Sequence, residues 1–512
     1  MTAIERINAA AGFIIPEIIL LATVCIMFLV GPFFVNEGGK GQPGLRHRWG
    51  ILSLLALGCA LLAWWGTTPQ PVEAGPFQSD AFLWFVRGAT FSIGALLVLL
   101  LWNQIDDGHA AEAHACLLAI FAGVTLTAAA NDLGGLFLGL ELVSIPTYVL
   151  LYLPKRDRQM REATVKYFLL SLFSAATFLF GIAWLFGAAG TTNMVGIVNA
   201  AQAGKLSEIP GLILMSQVLL IAGLSFRVTA VPFHFYAPDV FQGASNSAAA
   251  MLSFIPKVAG FVALFRLLPL TQGITDWSNW VPSEPMRMLL ATLAVLTMFG
   301  GNLLALRQKN LQRLLAYSSV AHAGYMLIGL AIGSSIGFGN GLSAILFYLV
   351  VYGIMTLGVF AVLAGAGVRP LRNISDLAGL SQKRPVLAAS LAILLLSLTG
   401  LPPTAGLWGK LFLFLAAWNE GSRLGQTLAV VLAINAAISA SYYLRLIVVM
   451  YFDSPESAEE TAPAQQYPAW IASALCVVLM IGLFAAPQQL WNAANTAVQP
   501  AAKPVAQVTQ AL

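Results

Sequence analysis

Charge is scarce in this sequence. Only 9% of its 512 residues are Asp, Glu, Lys or Arg, where an ordinary soluble domain carries about 25%. A soluble enzyme is excluded, because no water-facing fold could hide side chains of which 58% are hydrophobic. A disordered chain is excluded for the same reason. The net charge of +4 is spread too thinly to follow a phosphate backbone, so no nucleic-acid partner is expected. Cysteine is also rare. The four (Cys25, Cys59, Cys116, Cys476) sit inside apolar runs with no CxxC spacing, which argues against a disulfide scaffold and against a metal or redox centre. Long polar stretches are missing too. The intervals near 190–210, 270–285 and 453–468 are about twenty residues or less, too short for a nucleotide, flavin or iron–sulfur domain.

What the chain has is apolar runs. A bilayer core needs about 20 apolar residues per helical span. Fourteen runs of that kind lie near 12–35, 49–66, 81–102, 113–131, 133–153, 164–189, 211–235, 244–270, 286–306, 314–333, 341–366, 386–419, 425–452 and 469–491. A membrane barrel would show short alternating segments instead. The sequence therefore predicts an all-α polytopic membrane protein with about 14 transmembrane helices. The first run holds Glu17 and lacks a basic leader or an Ala-x-Ala-like exit, so it is expected to be a retained helix. The fourth and fifth spans are expected to share a tight turn at Asn131-Asp132.

Lys and Arg are unevenly shared between the loops. Those after odd-numbered spans carry 15: Lys40, Arg46, Arg48, Lys155, Arg156, Arg158, Arg161, Lys166, Arg307, Lys309, Arg313, Arg369, Arg372, Lys383 and Arg384. The opposite side, tails included, carries six: Arg6, Lys205, Arg266, Arg287, Arg423 and Lys503. The richer side is expected in the cytoplasm, which puts both termini on the other side. The Ala-rich sequence without a transit peptide suggests a bacterial inner membrane, whose periplasmic side would hold the termini.

Ionisable groups inside a membrane are costly and mark function by default. Glu141 lies in the fifth span, Arg227 in the seventh, Lys257 in the eighth and Lys410 in the twelfth. A set of structural ion pairs fixing helix order is the plainer alternative. Taking a lysine out of water makes its neutral form accessible, so Lys257 and Lys410 suit proton transfer, as does Glu141. Arginine stays protonated, which leaves Arg227 as a fixed charge. His234 and His322 are candidate relays or satisfied structural histidines. Arg87 and Arg445 are expected to snorkel to a span end, and Glu17 to be interfacial. Pro232, Pro256 and Pro402-Pro403 fall inside spans, where they should make three breaks and free the carbonyls of Val228, Leu252, Leu398 and Thr399. Freed carbonyls at membrane depth mark lined cavities and transport sites.

Several blocks resemble a known family. They are Gly-Leu-Ser-Phe-Arg-Val-Thr-Ala-Val-Pro-Phe-His-Phe-Tyr-Ala-Pro-Asp-Val-Phe-Gln-Gly-Ala (223–244), Asn-Asp-Leu (131–133), Leu-Glu-Leu (140–142) and Arg-Leu-Leu-Ala-Tyr-Ser-Ser-Val-Ala-His-Ala-Gly-Tyr (313–325). Leu-Thr-Gly-Leu-Pro-Pro-Thr-Ala-Gly-Leu-Trp-Gly-Lys (398–410) and Tyr-Tyr-Leu-Arg (442–445) complete the set. Together they resemble the antiporter-like membrane subunits of proton-pumping NADH-quinone oxidoreductase, respiratory complex I, and among these the N-type subunits. The resemblance runs from roughly residue 12 to 490. It implies three leading helices (1–112), a five-helix repeat (113–270), its inverted copy (286–452), and a last helix with a tail (469–512). Helices 7 and 12 would be broken.

The resemblance further implies that Glu141, Lys257 and Lys410 relay protons. Arg227 stands where the family usually has lysine, which points to a permanent counter-charge for Glu141. No cofactor would be bound here. NADH, FMN, iron–sulfur clusters and quinone would belong to partner subunits, reached through M-like, K-like and J-like membrane-arm neighbours and the hydrophilic redox arm. The other partners would be membrane lipids. Two other readings stay open: a subunit of a multisubunit Na+/H+ antiporter, and a membrane scaffold that pumps nothing.

Overall fold

The computed structural model describes residues 12–36, 39–67, 72–153, 158–274, 277, 280–334, 339–366, 371–454 and 466–499. Arg6, Lys155, Arg156, Arg369, Lys503 and the tail from 500 lie outside them. Three helices lead the chain: α1 (Ile15–Val30), α2 (Leu45–Trp65) and α3 (Ala81–Leu101). Then come α4 (Ala110–Ala129), α5 (Leu133–Tyr152), α6 (Arg158–Ala189), the short α7 (Met194–Gln202), α8 (Pro210–Val228), the short α9 (Ala237–Gly243) and α10 (Asn246–Leu267). A second series follows with α11 (Glu284–Leu306), α12 (Leu311–Ile332), α13 (Gly341–Gly365), the one-turn α14 (Leu380–Lys383), α15 (Pro385–Thr399), α16 (Gly406–Asn419) and α17 (Arg423–Phe452). The chain closes with α18 (Tyr467–Ala485) and α19 (Pro487–Val498). A small hairpin pairs β1 (Val72–Ala74) with β2 (Phe77–Ser79).

Thirteen of these helices are long and apolar enough to cross a membrane. The broken pair α15/α16 accounts for a fourteenth crossing, as the sequence predicts. Packing follows bilayer logic. Helices α10, α12 and α13 are enclosed by their neighbours. The outer helices present bare apolar side chains instead, such as Leu62 and Trp65, each 75% exposed. Such a surface is stable only in a hydrocarbon solvent.

The two series are copies of one plan. In the first, Asp132 caps α5 and bridges to Asn193. In the second, Asn310 caps α12 and bridges to Asn373. Even the flanking backbone bonds repeat: Leu133 N–H to Thr192 O (2.9 Å) and Met194 N–H to Asn131 O (3.0 Å) match Leu311 N–H to Arg372 O (2.7 Å) and Ile374 N–H to Lys309 O (3.0 Å). Gly123 on α4 and Gly301 on α11 hold the same place. A Cβ at Gly123 would lie 2.9 Å from Gly139 O, and one at Gly301 2.5 Å from Ala321 N, so only glycine admits these close helix pairs. Equivalent helices are five crossings apart, an odd number, which inverts one copy relative to the other.

Both copies also break the same helix. After α8 the chain enters the left-handed region at Thr229 (φ 61°), and after α15 at Gly400 (φ 89°). Gly400 adopts that backbone without a side-chain clash. Each break contains one cis bond, Val231–Pro232 and Pro402–Pro403.

Some expectations fail. Pro256 breaks nothing: α10 runs unbroken through it, as α5 does through Pro146, because neighbours on all sides enclose this helix. Residues 487–491 do not extend the last span but begin the separate α19, whose Trp491 ring sits 4.2 Å from that of Phe412 on α16. Glu17 and Arg87 do not face lipid or water but are enclosed by protein. They form a bidentate pair at 2.8 and 2.7 Å, 1% and 2% exposed, binding α1 to α3. Arg445 is exposed.

Candidate functional site

The break after α8 leaves Arg227 in that helix's last turn, 6% exposed and facing α5. Its guanidinium donates to Glu141 Oε1 (2.9 Å), Ser144 Oγ (2.8 Å) and the carbonyl of Leu140 (3.1 Å). Fixed donors directed at three acceptors along one helix turn are the task for which a planar fork is suited. Glu141 and Arg227, 86 positions apart, thus come together as the sequence suggested.

Lys257 lies mid-way along α10 with no exposed surface. Its ammonium donates to Ser319 Oγ of α12 at 2.6 Å, and Tyr352 O–H of α13 donates to the same oxygen at 2.9 Å. Among the described residues no carboxylate lies within 4.0 Å of this ammonium. The inverted repeat explains the partner. Ser319 stands nine residues past its cap, the position Glu141 holds in the first copy, and His322 twelve past it, the position of Ser144.

His322 is sandwiched between two phenols. Its Nδ1 is 2.6 Å from Tyr348 O–H and its Nε2 3.0 Å from Tyr443 O–H, which in turn bonds Ser318. A neutral imidazole has one donor and one acceptor nitrogen, and a phenol takes either role, so a proton can arrive at one nitrogen while another leaves from the second. Lys410 sits on α16 just beyond the second break. It donates to the carbonyls of Leu398 (2.9 Å) and Thr399 (2.8 Å) and reaches Ser439 Oγ at 3.4 Å. These are the two carbonyls the prolines were expected to free. Its ammonium also lies 5.1 Å from the ring centre of Tyr325. Tyr325 O–H accepts from Asn302 (3.2 Å), which in turn binds Asn435 and Tyr442 on α17. Among the described residues Lys410 too has no carboxylate at ion-pair distance.

His234 joins none of this. It lies in the first break with Nδ1 buried and unbonded. Sequence reasoning missed Ser319, Tyr348, Tyr352 and Tyr443. A signal existed for three of them: Ser319 and His322 are three apart and Tyr348 and Tyr352 four apart, spacings that share a helix face. Among the described residues no three His, Cys, Asp or Glu side chains gather as a metal site.

Polar clamps flank this axis. Asp239 on α9 accepts from Lys166 of α6 (2.7 Å) and Arg313 of α12 (2.6 Å). Burial alone would raise the Asp239 pKa, but the two cations outweigh it and hold the carboxyl below its usual range. Arg266 at the end of α10 grips Asp80, the cap of α3, with two bonds (2.6 and 3.0 Å), and Arg287 meets Glu420 at 2.5 Å.

Residues 130–436, which include both breaks and Glu141, Arg227, Lys257 and Lys410, match the family described as NADH:quinone oxidoreductase/Mrp antiporter, TM. The chain belongs to that family. Among its relatives in this NADH:quinone oxidoreductase/Mrp group is the NADH-quinone oxidoreductase subunit N of Trichlorobacter lovleyi, 38% identical over 86% of this chain and 88% of its own length. Another is the subunit N of Paramagnetospirillum magneticum, 33% identical over 95% and 97%. A chain of respiratory complex I from Thermus thermophilus, solved with bound aureothin, shares the architecture with a TM-score of 0.75 and 30% identity, covering 93% of this chain and 98% of that one. The family's all-helical membrane fold is therefore the fold observed here.

Proposed function

We propose that this chain is an N-type membrane-arm subunit of an NADH-quinone oxidoreductase and moves protons across the bacterial inner membrane. Electrons pass from NADH to quinone in partner subunits that hold FMN and iron–sulfur clusters. M-like, K-like and J-like subunits are the membrane-arm neighbours. The Lys/Arg-rich loops face the cytoplasm and both termini the periplasm.

One observation carries the relay reading. Lys257 and Lys410 are buried at membrane depth against hydroxyls and carbonyls, with no carboxylate beside either among the described residues. A structural ion pair needs the opposite charge, which neither has. Both partner sets accept hydrogen bonds from the charged amine, while Ser319 and Ser439 can also donate to the neutral one. Lys257 is the central relay and Lys410 the exit group. His322, set between Tyr348 and Tyr443, lies on the helix that supplies Ser319. Glu141 is paired with the fixed charge of Arg227, and the proton passes by way of Lys257. Moving one charge against 100 mV takes about 2.3 kcal/mol, which redox chemistry in the partners supplies.

The test uses inverted membrane vesicles energised with NADH, comparing wild type with Lys257→Ala at equal amounts of assembled complex. Loss of acidification with the complex intact supports the relay. Unchanged acidification overturns it and leaves a scaffold. A sodium-driven pH change without NADH would point instead to the antiporter branch of the family.

A further inference from the structure

Three helix ends meet in a cleft away from the relay: the start of α2, the end of α3 and the start of α18. They border the loops after the first, third and thirteenth spans, so topology puts them on one membrane face, the one rich in Lys and Arg. The cleft has a volume of about 610 Å³ and is lined by Arg46, His47, Trp102, Gln466 and Tyr467. Two of its polar atoms, Arg46 Nε and Gln466 Oε1, are buried without a hydrogen bond. A nearby carboxylate does not use up the guanidinium. Asp107 accepts the backbone N–H of Arg46 (2.8 Å) and of Gly44 (3.3 Å), capping α2 in place of the missing side-chain cap, and stands 4.0 Å from Arg46 Nε. Trp102 Nε1–H donates to His47 Nδ1 at 2.7 Å, which puts the proton of the neutral ring on Nε2 as a further donor. Arg48, next in sequence, is exposed.

We propose that this cleft binds the headgroup of an anionic glycerophospholipid. The cleft lies at span ends, where Trp and Tyr favour the headgroup layer. Arg46 and His47 Nε2–H are donors suited to phosphate, the Gln466 Oε1 acceptor suits a headgroup hydroxyl, and basic pockets between helix ends on the cytoplasmic side recognise anionic headgroups. The membrane surface below offers room for acyl chains. Helix α3 packs against both α2 and α18, and its Ser92, Ala95 and Leu99, spaced to share one face, are open or half-open to the outside.

The experiment reconstitutes the purified complex in phosphatidylcholine vesicles containing photoreactive phosphatidylglycerol or, separately, photoreactive phosphatidylcholine. After illumination the anionic probe should label peptides holding Trp102 and Tyr467 more than the zwitterionic one does. Arg46→Gln should cut that excess roughly fivefold, while Arg46→Lys should keep most of it, separating lost charge from misfolding. Equal labelling by both probes overturns the proposal. So does displacement of the label by glycerol phosphate, which would mark a soluble-anion site, or crosslinking of a photoreactive residue at Trp102 to another protein subunit.

Discussion

Arg227 and Glu141 share an ion pair of 2.9 Å on the inner side of a broken helix, and the cation is one that cannot release its proton. The charge at position 227 is therefore fixed. Replacing it with lysine keeps a cation and shortens its reach, so Arg227→Lys should pump at least as well as wild type. Arg227→Ala leaves Glu141 without its partner. Vesicle acidification should then fall, and the assembled complex should lose up to about 3 kcal/mol of stability, with the smaller end favoured because Glu141 is 20% exposed. Unchanged pumping in Arg227→Ala would sink the counter-charge role.

Lys410 carries two duties that substitution can separate. It satisfies the Leu398 and Thr399 carbonyls, and in the relay proposed above it would offer a transferable proton. Lys410→Met removes both, and each stranded carbonyl costs about 1–3 kcal/mol. Melting of the purified complex should show this as a lower midpoint. Lys410→Arg should recover the midpoint and not the pumping, since guanidinium holds its proton. Recovery of both would reduce Lys410 to a structural peg.

The Glu17–Arg87 pair is deeply buried, and Arg87 bonds Glu17 and the Phe13 carbonyl, not the relay groups. Glu17→Gln should cost about 3–5 kcal/mol by stranding the guanidinium. Paired apolar replacement of both residues should recover most of that loss. Pumping per electron should stay at the wild-type level in whatever complex assembles. A pumping defect in the doubly replaced protein would show that this pair belongs to the transport machinery.

Asp239 predicts the pH response of the clamp joining α6, α9 and α12. Its folded pKa lies below the unfolded value of about 3.9. The stabilisation is thus fully present above the unfolded pKa and is lost as pH falls through the folded one. At neutral pH, Asp239→Asn should melt earlier than wild type. The two melting curves should converge under acid, below the ordinary carboxylate range. A constant gap down to that range would refute the assignment.

Much of this was legible in the sequence because hydrocarbon imposes a simple grammar. Apolar runs of bilayer length gave the crossings, and the charges inside them singled out Glu141 and Arg227, which the fold pairs, and Lys257 and Lys410, which it buries. The prolines named the Leu398 and Thr399 carbonyls that Lys410 takes. Pro256 misled, since α10 continues through it with neighbours on all sides. Arg87 and Glu17 misled because their pairing spans 70 positions and no local pattern announces it. The tyrosines around His322 passed as apolar filling, because a phenol becomes part of a polar path only when tertiary packing brings it a partner.

Ser319 gives the repeat boundary a further meaning. Lys257 belongs to the first copy of the fold and Ser319 to the second, so the central amine answers to a hydroxyl across the pseudosymmetry seam. That oxygen receives two donors, Lys257 and Tyr352, and has one hydrogen of its own to direct. When the amine gives up its proton it becomes an acceptor, and the hydroxyl can swing toward it. The charge of one half is then recorded in the other as the orientation of a single O–H bond. Such a rotation takes place on the time scale of side-chain motion, and no helix need shift for the news to cross.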